Sequence, residues 1–360
     1  MAKIEILDSG IIDNRDSAFP TLVRLDNGDI LAGFTVGGGP YVHGGTDLAR
    51  STDNGKTWQW KSTILSPGES PPTTNSLRLS RTPEEMIIAY GTRAYKPEEK
   101  TEWGSGIRKE PIFCTSRDQG RTWSEPQLIE TTIQGPFEIA SPMIVTKNGR
   151  WLAPGATLSD QQRLGEQLVV FISEDKGKTW SDSAVVMKDP EGIKGFFEQK
   201  LTRLDADRVM AVSWTLRMGD YSDFEDHFVI SNDGGCTWGP LQSTGIRGQT
   251  MTPVWIGEDR LLVLYNRRYG KQGVIGCLVR FADDAWLVES EEILWDAKSS
   301  RETVSGVSGI DELDSFSFGL PSAIPLNVIY RDERDLLCVH WCKEQGTHVI
   351  RWTRIRVLFK

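Results

Sequence analysis

The chain has 360 residues, of which 38% are apolar, with 35 Gly, 17 Pro and a formal net charge of −9. This turn-rich composition contains no apolar run of the roughly 18 residues that a membrane-spanning helix needs. Its acidic balance excludes nucleic acid as an expected partner, because a phosphate-binding face is built from clustered Lys and Arg.

The opening Ile4-Glu5-Ile6-Leu7 reads as a strand, and nothing in Met1-Ala2-Lys3-Ile4-Glu5 follows the charged, then apolar, then small-residue pattern of a secretory signal. The expectation is a cytoplasmic protein. Residues 19–34 then form the first copy of an element that recurs: an apolar strand, a polar turn and a second apolar strand. Further copies occupy 77–90, 142–154, 201–214, 253–265 and 321–341, so six sheets are predicted. Residues 349–359 supply a final strand, and its pairing with the opening strand would close the ring and remove exposed edges.

Four of the copies are followed by the spacing S-x-D-x-G-x-T-W, beginning at Ser51, Ser116, Ser173 and Ser231, 65, 57 and 58 residues apart. That interval fits a four-stranded sheet with its turns. Asp53, Asp118, Asp175 and Asp233 suit acceptance of turn N–H groups, the Gly two positions later tolerates positive φ, and the Trp is large enough to cover a gap between neighbouring sheets. These aspartates are therefore structural. The fold expected is all-β: a six-bladed β-propeller with four-stranded antiparallel blades and terminal-strand closure, spanning 1–360 as one domain.

Strand parity puts the Asp-box turns at one end of the ring and the loops between second and third strands, with the links between blades, at the other. That second end collects chemistry. Blade one brings Tyr41 and His43 in a Gly-rich loop, and blade two brings Arg93, Tyr95 and an excursion through Trp103 to Glu110. Glu138 heads blade three; Glu198 heads blade four, with Arg217, Asp220 and Tyr221 in its loop. Blade five offers Gln249 and the run Asn266-Arg267-Arg268-Tyr269, and blade six Asp311, Glu312, Asp314, Phe316 and Phe318. Aromatic faces stack on pyranose rings, Arg and Asn bind hydroxyls or carboxylates, and two acids suffice for glycosidic cleavage. The catalytic candidates are Glu198, Glu138 and His43, whose imidazole titrates in a range suited to acid–base work. Arg93, Tyr95, Arg217, Gln249, Arg267, Arg268 and Phe318 are the candidate substrate contacts.

The five cysteines, Cys114, Cys236, Cys277, Cys338 and Cys342, are odd in number and scattered, and read as reduced core thiols. Cys338, His340 and Cys342 share one strand face, but at about 3.3 Å per residue the two sulfurs stand roughly 13 Å apart, too far for one tetrahedral zinc. No nucleotide loop, dinucleotide fingerprint or zinc motif occurs, so no organic cofactor is implied and no residue is assigned to a metal.

The repeated S-x-D-x-G-x-T-W turns and the opening Phe19-Pro20-Thr21-Leu22-Val23-Arg24-Leu25 resemble the sialidase (neuraminidase) superfamily with Asp-box, or BNR, repeats. The resemblance covers essentially the whole chain and implies the propeller fold. It also implies three arginines for a sialic-acid carboxylate, a Tyr nucleophile assisted by a Glu, and an Asp acid–base. Here the slot of the first arginine is Ala18. Glu198 in Glu198-Gln199-Lys200-Leu201 resembles the family's glutamate, the second arginine position reads Trp214 with Arg217 beyond, and Arg267 or Arg268 matches the third. The tyrosine region reads Ser315-Phe316-Ser317-Phe318-Gly319, without a phenol. The expected partner is a small glycan or glycoside. The expected activity is exo-acting glycoside hydrolysis by carboxylates, pairing Glu198 with Glu138 or Asp220; the alternatives are a uronate lyase with His43 or Tyr95 as base, and a non-catalytic sugar- or protein-binding propeller.

Overall fold

The structure is a computed structural model that describes residues 2–95, 108–158, 163–204, 207–298, 316–326 and 333–359. The described residues form six antiparallel sheets. Blade one is Ser17–Arg24, Ile30–Val36, Thr46–Ser51 and Gln59–Leu65, and blade four is Lys194–Arg203, Val209–Arg217, His227–Ser231 and Gln242–Ser243. Blade five runs Gln249–Gly257, Arg260–Arg267, Gly273–Ala282 and Ala285–Asp296. Blade six joins Phe318–Pro325, Glu333–Glu344 and Thr347–Leu358 to Lys3–Asp13, the opening strand, which pairs antiparallel with Thr347–Leu358 and closes the ring.

Blades two and three depart from the expected four strands. In blade two the short Gly68–Glu69 pairs with Pro72–Arg81 ahead of Ile87–Tyr95, Lys109–Ser116 and Gln127–Leu128. In blade three the inner strand expected from Pro142 is split: Phe137–Glu138 and Ile144–Val145 both pair with Trp151–Thr157. Pro142 has no N–H to give the ladder, which fits its place in the interruption.

Strands in the middle of each blade are buried on both faces because each blade is covered by its neighbours. One apolar cluster fills each gap: Leu31 and Leu48 meet Leu77, Leu79 and Ile112 between blades one and two, and Phe34 meets Trp341 and Trp352 between blades one and six. Four of the cysteines are buried thiols within this packing, whereas Cys236 is half-buried in an Asp-box turn, a surface position the core-thiol expectation missed.

The Asp boxes staple these gaps. Asp53 Oδ1 accepts the N–H groups of Lys56 and Thr57 at 3.0 and 2.9 Å, and its Oδ2 accepts the Thr57 hydroxyl at 2.6 Å. Asp118 and Asp233 repeat the pattern. Gly55 is at φ 85°, and a Cβ there would lie 2.5 Å from Leu337 of blade six, so glycine serves both the turn and the close approach. Trp123 and Trp180 pack into the clusters between blades one and two and between blades two and three, as expected of interblade anchors.

At the opposite end, four inner strands share a second device absent from the sequence reading. Between Ala18 and Thr21, Phe197 and Lys200, Gln249 and Thr252, and Gly319 and Ser322, two residues face one on the neighbouring strand. The first bulged residue is left-handed each time: Phe19 at φ 57°, Glu198 at 51°, Thr250 at 55° and Leu320 at 46°. Holding a non-glycine residue there costs about 1–2 kcal/mol. A bulge re-aims its side chain relative to the strand, and these four surround one channel mouth.

Candidate functional site

The mouth gathers ionisable groups from inner strands of three successive blades. Arg78 comes from the regular inner strand of blade two, Glu138 from the split strand of blade three, and Glu198 and Lys200 from the bulge of blade four. The backbone N–H of Glu198, turned by its left-handed conformation, donates to Glu138 Oε2 at 3.0 Å. Lys200 Nζ donates to the Ala140 carbonyl. Arg78 is 3% exposed, bonds Ser76 Oγ at 2.5 Å and lies 4.9 Å from the centre of the Phe19 ring. Below the mouth the channel holds a cavity of about 190 Å³ bordered by Thr21, Leu79, Lys200, Thr252 and Pro321.

Burial dominates the protonation of these groups. It raises Glu198 to about 7, helped by the charge of Glu138 and opposed by Lys200, Arg268 and Arg78. Burial also raises Glu138, against the Glu198 N–H and the charges of Lys200, Arg78 and Lys109. The same desolvation lowers Lys200 to about 8. Among the described residues Glu198 Oε2 is buried without a hydrogen-bond partner, as is Arg78 Nε.

A second wall is built by blades four, five and six. Arg268, 6% exposed, donates to Gln249 Oε1 at 2.5 Å and to the Phe318 carbonyl, and its guanidinium stacks 3.5 Å from the Phe316 ring centre. Gln249 Nε2 donates to Asp223 Oδ2 at 3.0 Å, and Asp223 Oδ1 accepts the Trp214 indole N–H at 2.9 Å. A Cβ on Gly319 would stand 3.0 Å from both Arg268 Nη2 and Trp341 Nε1, which is why glycine occupies that position. Asp226 is fully buried; its Oδ1 accepts the Thr215 N–H at 3.3 Å, and burial holds its carboxyl well above the ordinary range.

The structure thus brings together Glu138, Glu198, Gln249, Arg268 and Phe318 of the sequence candidates. The others make contacts of their own. Arg93 and Tyr95 are committed to Glu110, at 2.6 and 3.1 Å, and with Arg108 hold that carboxyl low despite its burial. Arg267 bonds the Lys271 carbonyl at 2.9 Å, Arg217 covers the Phe224 ring at 5.0 Å, and Asp220 is exposed and bonded to Ser222. His43 is exposed on its loop, its ring centre 6.3 Å from that of Tyr41. Trp103, Asp311, Glu312, Asp314 and Ser315 lie outside the described residues. Arg78, Lys200 and Asp226 were missed. Arg78 had a signal, a charge between Leu77 and Leu79 on an apolar strand; Lys200 had one too, two residues beyond Glu198. Among the described residues no group of three or more His, Cys, Asp or Glu side chains is placed to hold a metal ion.

Comparison with known proteins follows this geometry. A protein of unknown function from Dyadobacter fermentans superposes with a TM-score of 0.74 at 21% identity, covering 98% of this chain and 99% of that one. The Penicillium chrysogenum alpha-L-arabinanase solved with arabinobiose gives 0.66 at 16% identity, with 97% and 98% covered. The Trypanosoma rangeli sialidase in complex with the inhibitor DANA gives 0.61 at 14% identity, covering 95% of this chain but 55% of that one. Among curated protein sequences nothing matches. These likenesses show the fold alone. The sequence family described as BNR repeat-like domain matches residues 47–353, nearly the whole ring, and the chain belongs to that family.

Proposed function

We propose that this propeller is an exo-acting glycoside hydrolase for a small glycan or glycoside, with Glu138 and Glu198 as its paired acids. The observation that carries the reading is the pair itself. The Glu198 backbone N–H bonds Glu138 Oε2 across adjacent blades, the Glu198 carboxyl lies in the field of Glu138, and burial raises it to about 7. Like-charged neighbours share a proton rather than ionise together. Burial raises both acids and the cations of the mouth act on both, but only Glu138 accepts the Glu198 amide N–H, which favours charge there and suits Glu198 to the acid role.

In glycoside hydrolysis the carboxyl with the raised pKa protonates the leaving oxygen, and the ionised one attacks the anomeric carbon or activates water. Glu198 takes the first role and Glu138 the second. Gln249, Arg268 and the half-buried Phe316 form the wall on which a ring is held, while Phe318, 1% exposed, holds Arg268 through its carbonyl. The fold neighbours solved with arabinobiose and with a sialidase inhibitor support a sugar as the ligand. The lyase alternative has less support: Tyr95 is occupied by Glu110, and His43 stands exposed at the rim. The test is release of aglycone from a panel of aryl glycosides by wild type, Glu198→Gln and Glu138→Gln.

A further inference from the structure

Arg78 and Lys200 are an electrostatic anomaly within this mouth. Both are at least nine-tenths buried, yet among the described residues neither has a carboxylate oxygen within 4 Å. Arg78 bonds a hydroxyl and leaves its Nε unsatisfied; Lys200 bonds a backbone carbonyl. Lys200 lies within the field of Arg78. Buried cations are ordinarily paired, because desolvation is repaid only by a nearby opposite charge.

The surrounding carboxyls do not pair with these two cations. Arg78, Lys109, Lys200 and Arg268 lie in the field of two carboxyls, Glu138 and Glu198. Asp226 accepts the Thr215 N–H. Asp223 is taken by Trp214 and Gln249, with Arg247 at 3.7 Å. The mouth therefore holds two buried cations without a direct carboxylate partner among the described residues, inside a chain whose net charge is −9.

We infer that Arg78 and Lys200 are the docking point for an anionic substituent, a carboxylate or a sulfate ester, on the sugar bound at this mouth. The inference rests on the glycan reading above and narrows its substrate class. A planar or tetrahedral oxoanion would accept from the guanidinium and the ammonium together, supplying the charge-assisted bonds that both cations lack. The substituent lies on the blade-two and blade-four side of the mouth, across from Arg268.

The experiment measures dissociation constants of D-glucose and D-galactose against D-glucuronate, D-galacturonate and the two hexose 6-sulfates, by calorimetry at fixed ionic strength. Wild type is expected to bind one anionic series at least about tenfold more tightly than the neutral sugars; the uronates identify a carboxylate, the sulfates a sulfate ester. In Arg78→Gln and Lys200→Met, each checked for folding by its melt, the ratio falls towards one, and Arg78→Lys restores part of it. Equal binding of neutral and anionic sugars, a preference that survives both substitutions, or no binding by any of the six sugars overturns the inference. The two readings fail separately. Hydrolysis of neutral glycosides with no anionic preference removes the docking point and leaves the hydrolase, whereas anionic preference without turnover of any glycoside does the reverse.

Discussion

The amide of Glu198 donates a 3.0 Å hydrogen bond to the carboxylate of Glu138, joining blade four to blade three at the channel mouth. The contact depends on the left-handed Glu198 backbone at φ 51°, so a bulge in one inner strand brings a backbone donor to an acid on the neighbouring blade.

A stability signature follows from that burial. Glu198 rises from the ordinary 4.5 to about 7, so its contribution to stability is complete below about pH 4.5 and is lost as pH rises through 7. Glu198→Gln carries no such titration. Between pH 4.5 and 8 the difference in unfolding free energy is expected to move in the variant's favour by about 2–3 kcal/mol. Urea unfolding at the two pH values measures it; a constant difference contradicts the assignment.

The Asp boxes give the opposite sign. Asp53 lies below its ordinary 3.8, held there by the Thr57 hydroxyl and N–H, so its stabilisation is present above that pH and lost as pH falls. Asp53→Ala removes four hydrogen bonds and is expected to cost about 1–2 kcal/mol at pH 7 with unchanged turnover. The gap to wild type shrinks as pH falls below 3.8. A loss of turnover in a variant that remains folded would give Asp53 a role beyond the turn.

Gly319 is expected to matter for binding more than for stability. Its backbone suits alanine, but the added Cβ would sit 3.0 Å from Arg268 Nη2 and push the guanidinium by a few tenths of an ångström. Gly319→Ala should raise KM roughly tenfold with a smaller change in kcat, since misplaced contacts weaken positioning. An unchanged KM would remove Arg268 from the binding wall.

How far the site could be read in advance depended on chain geometry. The four repeated turns fixed the ring, because Asp53, Gly55 and Trp58 each have a demanding local task that leaves a signature at set spacing. Glu138 and Glu198 were visible as acids heading inner strands. The bulges were not, since Phe19, Glu198, Thr250 and Leu320 are all poor residues for positive φ and carry no Gly or Asn marker. Without them the hydrogen bond from the Glu198 backbone N–H to Glu138 had no sequence trace, although the two acids were already paired as candidates. The partner of Arg93 and Tyr95 was hidden for a related reason: Glu110, 15 residues after Tyr95, returns beside them on the next strand.

The most direct test of the paired-acid account is aglycone release from aryl glycosides, neutral and anionic, by wild type and folded Glu198→Gln, with absorbance near 235 nm followed in parallel for elimination. The account predicts hydrolysis by wild type and a loss of about 10²–10⁴-fold in Glu198→Gln, without a 235 nm product. Full turnover in Glu198→Gln, or an unsaturated product in place of hydrolysis, would contradict it.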